Sequence, residues 1–357
     1  MTEQRLVEIL DGFARARILV VGDFFLDKYL ILDGDLTEVS LETGLDAYQV
    51  VEKRLFPGAA GTVTANLAAL DAAAVHALGM IGRDGEGREL QAGLEALRVS
   101  TDLLAETSER FTPTYTKPML RENGAEREIN RLDIKNRKPL PVQVEQGILR
   151  GLREAAPSVD AVVVADQAQE RNCGVITDAV RAELSLLSRG HPRLVVIADS
   201  RTRIGLFRDV WIKPNRHEAA EALGDGRPDP ADAAGSAAIG KALRQRNGRP
   251  VFVTMAEEGI VAVTAEGAWH VPAVRQSGPI DVVGAGDSVM AGITLSLCAG
   301  ARPEEAAVVG NLVASITVRQ IGVTGTASRG GVLARFRETG EALRPLAISD
   351  PAARPGS

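Results

Sequence analysis

The chain has 357 residues, a net charge of -6, and an ordinary globular composition of 45% hydrophobic and 25% charged residues. It shows neither the basic stripe of a nucleic-acid-binding protein nor an apolar run near the ~20 residues that a membrane-spanning helix needs. The absence of these two features leads us to expect that the protein binds neither nucleic acid nor membrane. Its two cysteines, Cys173 and Cys298, lie far apart without a partner motif, so we expect a cytoplasmic protein in a reducing compartment.

Short β-branched runs alternate with helical patterns along most of the chain. The predicted strands are 18–21, 75–81, 161–165, 194–198 and 251–254. The stretch 59–70 is a predicted helix, and Leu90, Leu94 and Leu97 share one face of another. Alternation of this kind predicts an α/β fold with a mainly parallel sheet that helices cover on both faces.

Two segments interrupt this alternation, at about residues 28–56 and 112–134. Both show alternating, turn-punctuated patterns without a helix, and Glu122-Asn123-Gly124 is a hairpin signal. We interpret them as a small antiparallel sheet that serves as a lid on one domain spanning 1–345, followed by a disordered tail at 346–357. A lid with exposed sheet edges also favours a homodimer through the lid.

The sharpest chemical signal is a glycine-containing loop, DVVGAGDS at residues 281–288, directly before an apolar helical pattern. Glycines at 284 and 286 let the backbone bend and approach a ligand closely. Unpaired N–H groups at the start of a helix form an anion hole, and Asp287 beside it can accept a proton from an attacking hydroxyl. This combination is what phosphorylation of an alcohol requires, although an ordinary helix cap is the alternative for so short a motif.

The chain resembles the ribokinase-like sugar kinases, the PfkB family, over about residues 17–328. The C-terminal signature of that family matches residues 281–292, DVVGAGDSVMAG, and its N-terminal glycine signature matches PGAAGTVTANLAAL. Three further segments match in order: VVGDFFLDKY, KPNRHE and GNLVASITVRQIGVTGTAS. The resemblance implies a three-layer αβα domain with a small β lid that transfers the γ-phosphate of ATP to a sugar hydroxyl.

The resemblance also implies catalytic and metal-binding roles. It makes Asp287 the catalytic base, and it implies an anion hole in the backbone of Gly284, Ala285 and Gly286. Asn215 and Glu218 are implied to arrange Mg²⁺ through its waters, whereas a plain helix cap is their alternative. A K⁺ site is implied at Asp281 and the carbonyl of Val283.

Substrate and nucleotide positions follow from the same resemblance. The implied sugar-binding residues are Asp27, Gly58, Thr62, Asn66 and Asp166. The implied nucleotide-binding residues are Thr254, Gly259 and Asn311. For Asn311, a buried asparagine with satisfied hydrogen bonds is the alternative.

Within the family, the chain resembles the heptose-phosphate kinases of lipopolysaccharide precursor synthesis. The segments that carry this resemblance in the lid are Thr114-Tyr-Thr-Lys117 and Arg131-Leu-Asp133. The implied acceptor is heptose 7-phosphate, with Lys117 and Arg131 paired with its phosphate. Solvated strand charges are the alternative for these two residues.

The chain departs from those kinases at the predicted sugar site. Thr62 stands in place of a sugar-binding Asn, and Ala59 in place of the second glycine of the motif. Residues 165–174, ADQAQERNCG, lack the Tyr and Lys of the corresponding motif. A kinase of another sugar, an aldonate or a nucleoside therefore stays an alternative, as does a catalytically silent binding module.

Overall fold

The structure, a computed structural model, describes residues 1–122, 124–224, 226, 229–339 and 343–348. In chain order its strands are β1 (Arg17–Gly22), β2 (Phe24–Val39), β3 (Asp46–Ala59), β4 (Ala74–Gly82), β5 (Ser100–Thr107), β6 (Thr114–Glu122), β7 (Ala125–Glu128), β8 (Leu132–Ile134), β9 (Ala161–Asp166), β10 (Val195–Ser200), β11 (Trp211–Ile212), β12 (Val251–Thr254), β13 (Ile260–Val263), β14 (Ala268–Val271) and β15 (Leu346–Ala347). Its helices are α1 (Glu3–Phe13), α2 (Ala60–Ala69), α3 (Gly85–Ala96), α4 (Val142–Ala155), α5 (Asp178–Gly190), α6 (Arg216–Leu223), α7 (Ala233–Asn247), α8 (Ala285–Cys298), α9 (Pro303–Thr317) and α10 (Arg329–Thr339).

The large sheet has the strand order β15-β14-β13-β12-β11-β10-β9-β1-β4-β5. The strands from β5 to β12 along this order pair in parallel, which confirms the predicted α/β sheet. The last three strands add an antiparallel end that the sequence analysis does not predict. The predicted tail is wrong at its start, because Leu346 and Ala347 pair with β14; residues 349–357 lie outside the described residues.

Helices cover both faces of the large sheet. Along β1, Ile18 and Val20 pack into one apolar layer with α1, α2, α8 and α9, whereas Leu19 and Val21 pack into another with α4, α5, α6 and α7. This division follows from the strand itself, since successive side chains point to opposite faces. The predicted αβα arrangement is confirmed. Within the described ranges, each helix is too short or too polar to cross a bilayer.

A second, smaller sheet, the lid, consists of β2, β3, β6, β7 and β8. The sequence predicts an antiparallel sheet, and β2 does pair with β3 in that sense, but β2 and β6 run parallel. The reason is that the chain passes through β4 and β5 of the large sheet between them, and such a crossover permits parallel pairing. Of the predicted turn between β6 and β7, Asn123 lies outside the described residues.

Candidate active site

A cavity of about 490 Å³ lies between the lid and the large sheet. Chain segments that follow the carboxyl ends of β1, β9 and β10 border it, at the edge where open α/β sheets bind ligands. The residues that border it include Asp27, Thr62, Lys117, Arg131, Arg201 and Asp287. The structure therefore brings together predicted residues from the lid, from α2 and from α8.

The first turn of α8 carries the loop that the sequence analysis singles out. Gly284 caps the helix with φ 75° and ψ 2°, a left-handed conformation that favours glycine. Within the described ranges, the N–H groups of Gly284, Gly286 and Asp287 donate to no acceptor. The N–H of Ala285 donates instead to the carbonyl of Val282 at 3.2 Å, so the predicted anion hole excludes it.

The carboxyl group of Asp287 lies in the same cavity as Asp27. Burial raises the pKa of Asp287 to about 7, and the neighbouring Asp199 carboxylate adds to the rise. Lys213 and Arg201 act in the opposite direction. Near neutral pH this carboxyl group is therefore poised to accept or release a proton, as a general base must.

Lys213 lies beneath the first turn of α8, and the sequence analysis missed it. Its Nζ is 2.8 Å from the Asp199 carboxylate and 3.6 Å from the place that a Cβ on Gly286 would take. The ammonium group is buried, and Asp199 together with Glu218 and Asp287 keeps its pKa above the usual value although burial opposes the rise. A signal was present, since Lys213 opens the quoted KPNRHE segment directly after β11.

Asn215 and Glu218 form a reciprocal cap at the start of α6. The Asn215 side chain accepts from the Glu218 N–H, and Glu218 Oε2 accepts from the Asn215 N–H, both at 2.9 Å. The alternative, a helix cap, is thus confirmed for both residues. Glu218 is also a buried carboxyl group whose pKa is raised by burial and by Asp199.

The carboxyl groups of Glu218 and Asp199 lie close enough to interact, since Asp199 raises the pKa of Glu218. Within the described part of the chain no group of three or more metal-ligating side chains occurs. That arrangement fits Mg²⁺, which keeps several waters and takes one or two carboxylates together with substrate phosphates.

Asp27 projects from β2 into the cavity, and Gly58 makes room for it. A Cβ on Gly58 would lie 2.4 Å from Asp27 Oδ2, so any other residue at this position would force the Asp27 carboxylate to move. Burial raises the pKa of Asp27, and the nearby Lys117 and Arg131 oppose that rise. Gly58 therefore leaves room for the Asp27 carboxylate, and of the two residues Asp27 borders the cavity.

Lys117 and Arg131, both predicted to bind a phosphate, border the cavity near Asp27. Within the described residues, Lys117 Nζ donates to no carboxylate; it donates to the Tyr29 hydroxyl at 3.0 Å and lies 4.7 Å from the centre of that ring. Arg131 makes two hydrogen bonds to Asp133, at 2.7 and 2.9 Å. Lys117 is thus the more available of the two cations.

Two predicted substrate residues lie away from the cavity. Asn66 is fully buried and donates to the carbonyls of Thr62 and Gly325 at 3.0 and 3.4 Å. Asp166 is also fully buried, and its carboxylate accepts from Ser200 at 2.6 Å and from Arg203 at 2.8 Å. Both side chains make contacts within the scaffold, and their contact with a substrate stays a prediction.

A family model described as pfkB family carbohydrate kinase matches residues 34–329. The chain belongs to this family. As a PfkB kinase it is a phosphotransferase that acts on a sugar hydroxyl. The family assignment made from the sequence is therefore confirmed.

Curated relatives of this PfkB kinase include the bifunctional protein HldE of Acidiphilium cryptum, which is 31% identical over 354 residues. The match covers 98% of this chain and 69% of that protein. The bifunctional protein HldE of Desulfatibacillum aliphaticivorans is 29% identical, and the match covers 91% of this chain and 64% of the relative. The chain thus spans roughly two thirds of the length of these relatives.

Solved structures of similar fold include the phosphofructokinase-2 from Escherichia coli in complex with potassium, with a TM-score of 0.68 and 17% identity. The Arabidopsis thaliana ribokinase complexed with ribose and ATP has a TM-score of 0.66 and 16% identity. Each match covers 90% of this chain and 99% of the other. These likenesses confirm the ribokinase-like α/β fold.

The residues assigned to the nucleotide lie around β12, β13 and β14 of this kinase. Thr254 ends β12, and Gly259 has φ 101°, with a hypothetical Cβ only 2.1 Å from the Val271 carbonyl. Asn311 donates to the carbonyls of Val271 and Pro272, both at 3.0 Å, as its alternative of a satisfied buried asparagine predicts. All three residues shape one region of the sheet edge, and their contact with ATP stays a prediction.

Proposed function

We propose that this PfkB kinase transfers the γ-phosphoryl group of ATP to a hydroxyl of heptose 7-phosphate. The observation that carries the proposal is that Asp287, Asp27 and the lid cations Lys117 and Arg131 all border one cavity, and that the pKa of Asp287 is raised to about 7. The acceptor itself is inferred from the resemblance of the lid segments to heptose-phosphate kinases. The similarity to the HldE proteins supports the same branch of the family.

The chemistry assigns a separate task to each group. Asp27 accepts hydrogen bonds from sugar hydroxyls, while Asp287 takes the proton of the attacking hydroxyl. The free N–H groups of Gly286 and Asp287, with Lys213 behind them, stabilise the negative charge of the phosphoryl group in transit. Mg²⁺, when bound, neutralises phosphate charge, and Glu218 and Asp199 would hold it.

The K⁺ site inferred from the resemblance also belongs to this proposal. The Asp281 carboxylate accepts from the N–H groups of Val283 and Gly322, at 3.0 and 3.3 Å. These bonds join the loop before α8 to the segment after α9. A cation bound by the Val283 carbonyl would stabilise the same junction.

We expect kcat/KM to fall as the pH decreases below about 7. The base works only when ionised, and the raised pKa of Asp287 means that its ionised fraction is lost as pH falls through about 7. A pH–rate profile of kcat/KM for the acceptor, at saturating ATP, measures this limb. A profile that stays flat from pH 8 to about 5 would contradict the assignment of Asp287, because an unshifted carboxyl titrates near pH 4.

The lid cations should favour an acceptor that carries its own phosphate. Lys117 lies close to Asp27, and in the part of the chain that the structure describes no carboxylate is bonded to it, so a substrate phosphate can supply that partner. Arg131 already pairs with Asp133, and Lys135 shares that carboxylate at 3.2 Å. We therefore expect Lys117→Ala to reduce kcat/KM for phosphorylated acceptors by about 10- to 100-fold, and Arg131→Ala by less.

A panel assay of ADP release tests the acceptor. It compares heptose 7-phosphate, hexose 6-phosphates and the matching unphosphorylated sugars, with the wild type and with both lid variants. Arg121→Ala is the matched control, since Arg121 lies on the same strand as Lys117 but pairs with Glu52 and Glu126 outside the cavity. If the free sugars react as well as their phosphates and neither variant changes the ranking, the phosphorylated acceptor is wrong while the kinase assignment stands.

We also propose a homodimer through the lid. Several large apolar side chains at the far end of the β2–β3 hairpin are exposed, among them Val39, Leu41 and Leu45. A patch of this kind is typical of an interface. Sedimentation velocity should show a dimer, and Leu41→Glu should shift it to the monomer; a wild-type monomer at all concentrations would exclude this assembly.

A further inference from the structure

The segment between β9 and α5 forms one wall of the cavity. Residues 167–175, the wall segment, lie in neither a helix nor a strand. Seven of these nine residues border the cavity, namely Gln167, Ala168, Gln169, Glu170, Cys173, Gly174 and Val175. An irregular segment has no helix or sheet ladder to satisfy its backbone groups, so other groups must hold it in place.

Asp23 holds the backbone donors at both ends of the wall segment. Its Oδ2 accepts from the N–H groups of Gln167 and Ala168, both at 2.9 Å, and its Oδ1 accepts from the N–H of Val175 at 2.7 Å. Asp23 also borders the cavity, but it is only 5% exposed, so water has little access to these bonds. One carboxylate therefore joins the start of the segment to its end.

The same residue is fixed by its own backbone. The N–H of Asp23 donates to the carbonyl of Ala165 at 3.1 Å, and its carbonyl accepts from the N–H of Ala60 at 3.0 Å. Ala60 begins α2, the helix that carries Thr62 into the cavity. Asp23 thus ties the wall segment to both the central sheet and a second wall of the cavity.

Two backbone carbonyls of the wall segment accept hydrogen bonds from a different side chain, that of Arg203. Arg203 donates to the carbonyl of Gln169 at 2.7 Å and to the carbonyl of Ala168, and it is oriented by Asp166 at 2.8 Å. Gly174 completes the fit, because a Cβ there would lie 2.6 Å from Asp23 Oδ1. Three backbone donors of the segment are therefore held by one carboxylate, and two of its acceptors by one guanidinium group.

We propose that Asp23 is a positioning residue for acceptor specificity. Its hydrogen bonds to both ends of the wall segment set the shape of the acceptor site. The inference rests on the proposed function, in which this cavity holds the acceptor. Asp23 does not take part in proton transfer. Its loss should therefore impair recognition of the acceptor and leave ATP binding and the transfer step largely unchanged.

Asp23→Asn is the first test, because it keeps the size of the side chain but replaces one accepting oxygen with a donor that faces backbone N–H groups. The KM for the acceptor should rise about tenfold or more, the effect of losing one hydrogen bond to a charged group. Over the acceptor panel, the ratio of kcat/KM between the best acceptor and the other acceptors should decrease. The values of kcat and of KM for ATP should stay within about threefold of the wild type.

Gly174→Ala is the second test, since its methyl group would lie 2.5 Å from the Ala168 Cβ and 2.6 Å from Asp23 Oδ1, and would therefore disturb the contact between Asp23 and the wall segment. Like Asp23→Asn, it should raise the KM for the acceptor and leave kcat largely unchanged. Glu305→Gln is the matched control: Glu305 is equally buried at 5% exposure, accepts from the Arg302 N–H and pairs with Arg5, all outside the cavity. This variant should lose stability without a change in the acceptor preference.

Hydrogen–deuterium exchange provides a readout that does not depend on any acceptor. In Asp23→Asn, amides of residues 167–175 should exchange faster, while those of α9 keep their wild-type rates. Unchanged exchange in the wall segment would show that Asp23 does not hold it in place. Faster exchange with an unaltered acceptor KM would show that Asp23 has no role in acceptor specificity. If the wild type phosphorylates no sugar at all, the proposed function fails, and the exchange result still decides whether Asp23 holds the segment.

Discussion

The Asp287→Asn variant is expected to lose about 10²- to 10⁴-fold in kcat, because its amide cannot take the proton of the acceptor hydroxyl. ATP should bind with nearly unchanged affinity, since the free N–H groups at the start of α8 are backbone groups that the substitution leaves in place. The thermal midpoint should not fall, because burial and Asp199 disfavour the charged carboxylate that the substitution removes. Single-turnover assays and calorimetric titration with ATP measure the two effects separately.

Ser288→Ala is the matched control for that experiment. Ser288 follows Asp287 in the same turn, but its hydroxyl is buried and bonds to the Ala285 carbonyl and to Thr317, outside the cavity. It should keep kcat within about threefold of the wild type. Turnover of Asp287→Asn close to that of Ser288→Ala would exclude Asp287 as the base.

Asp27→Ala should raise the KM for the acceptor by about 10- to 150-fold, which corresponds to the 1.5 to 3 kcal/mol of a hydrogen bond to a charged group. The KM for ATP should barely change, because Asp27 projects from the lid strand β2 and not from the loop that precedes α8. Initial rates over a matrix of both substrates give the two constants.

Gly58→Ala should reproduce the phenotype of Asp27→Ala in a weaker form, since its Cβ would displace the Asp27 carboxylate. Asp33→Ala is the control on the same strand; Asp33 accepts from the Asp35 N–H and does not border the cavity. A loss of thermal stability with unchanged acceptor kinetics in Asp27→Ala would make Asp27 a structural residue.

The catalytic loop could be predicted from the sequence because its signal is local. Gly284, Gly286 and Asp287 lie within four residues, and a helix start dictates where their backbone groups point. Five of the seven parallel strands were equally predictable from their β-branched runs, since strands buried on both faces read as continuous apolar segments. The strands β5 and β11 were not predicted.

Residues whose roles depend on distant partners could not be assigned in this way. Lys213 meets Asp199 only because β10 and β11 are neighbours in the sheet, and no local pattern shows that pairing. Asp166 and Asn66 occupy motif positions, but Asp166 bonds to Arg203 and Asn66 bonds to the Gly325 carbonyl, and neither borders the cavity. Burial and partner geometry, which decide between scaffold and ligand contact, arise only in the folded chain.

The position of β1 in the sheet has a consequence for biosynthesis. This apolar strand is made early, yet one of its two neighbours, β9, begins only at Ala161. At about 5–20 residues per second, a ribosome needs roughly 7–28 s to make the intervening stretch, and one edge of β1 lacks its native neighbour during that time. Unpaired apolar edges invite association with other chains. The nascent protein is therefore expected to depend on chaperone protection until Ala161–Asp166 has left the exit tunnel.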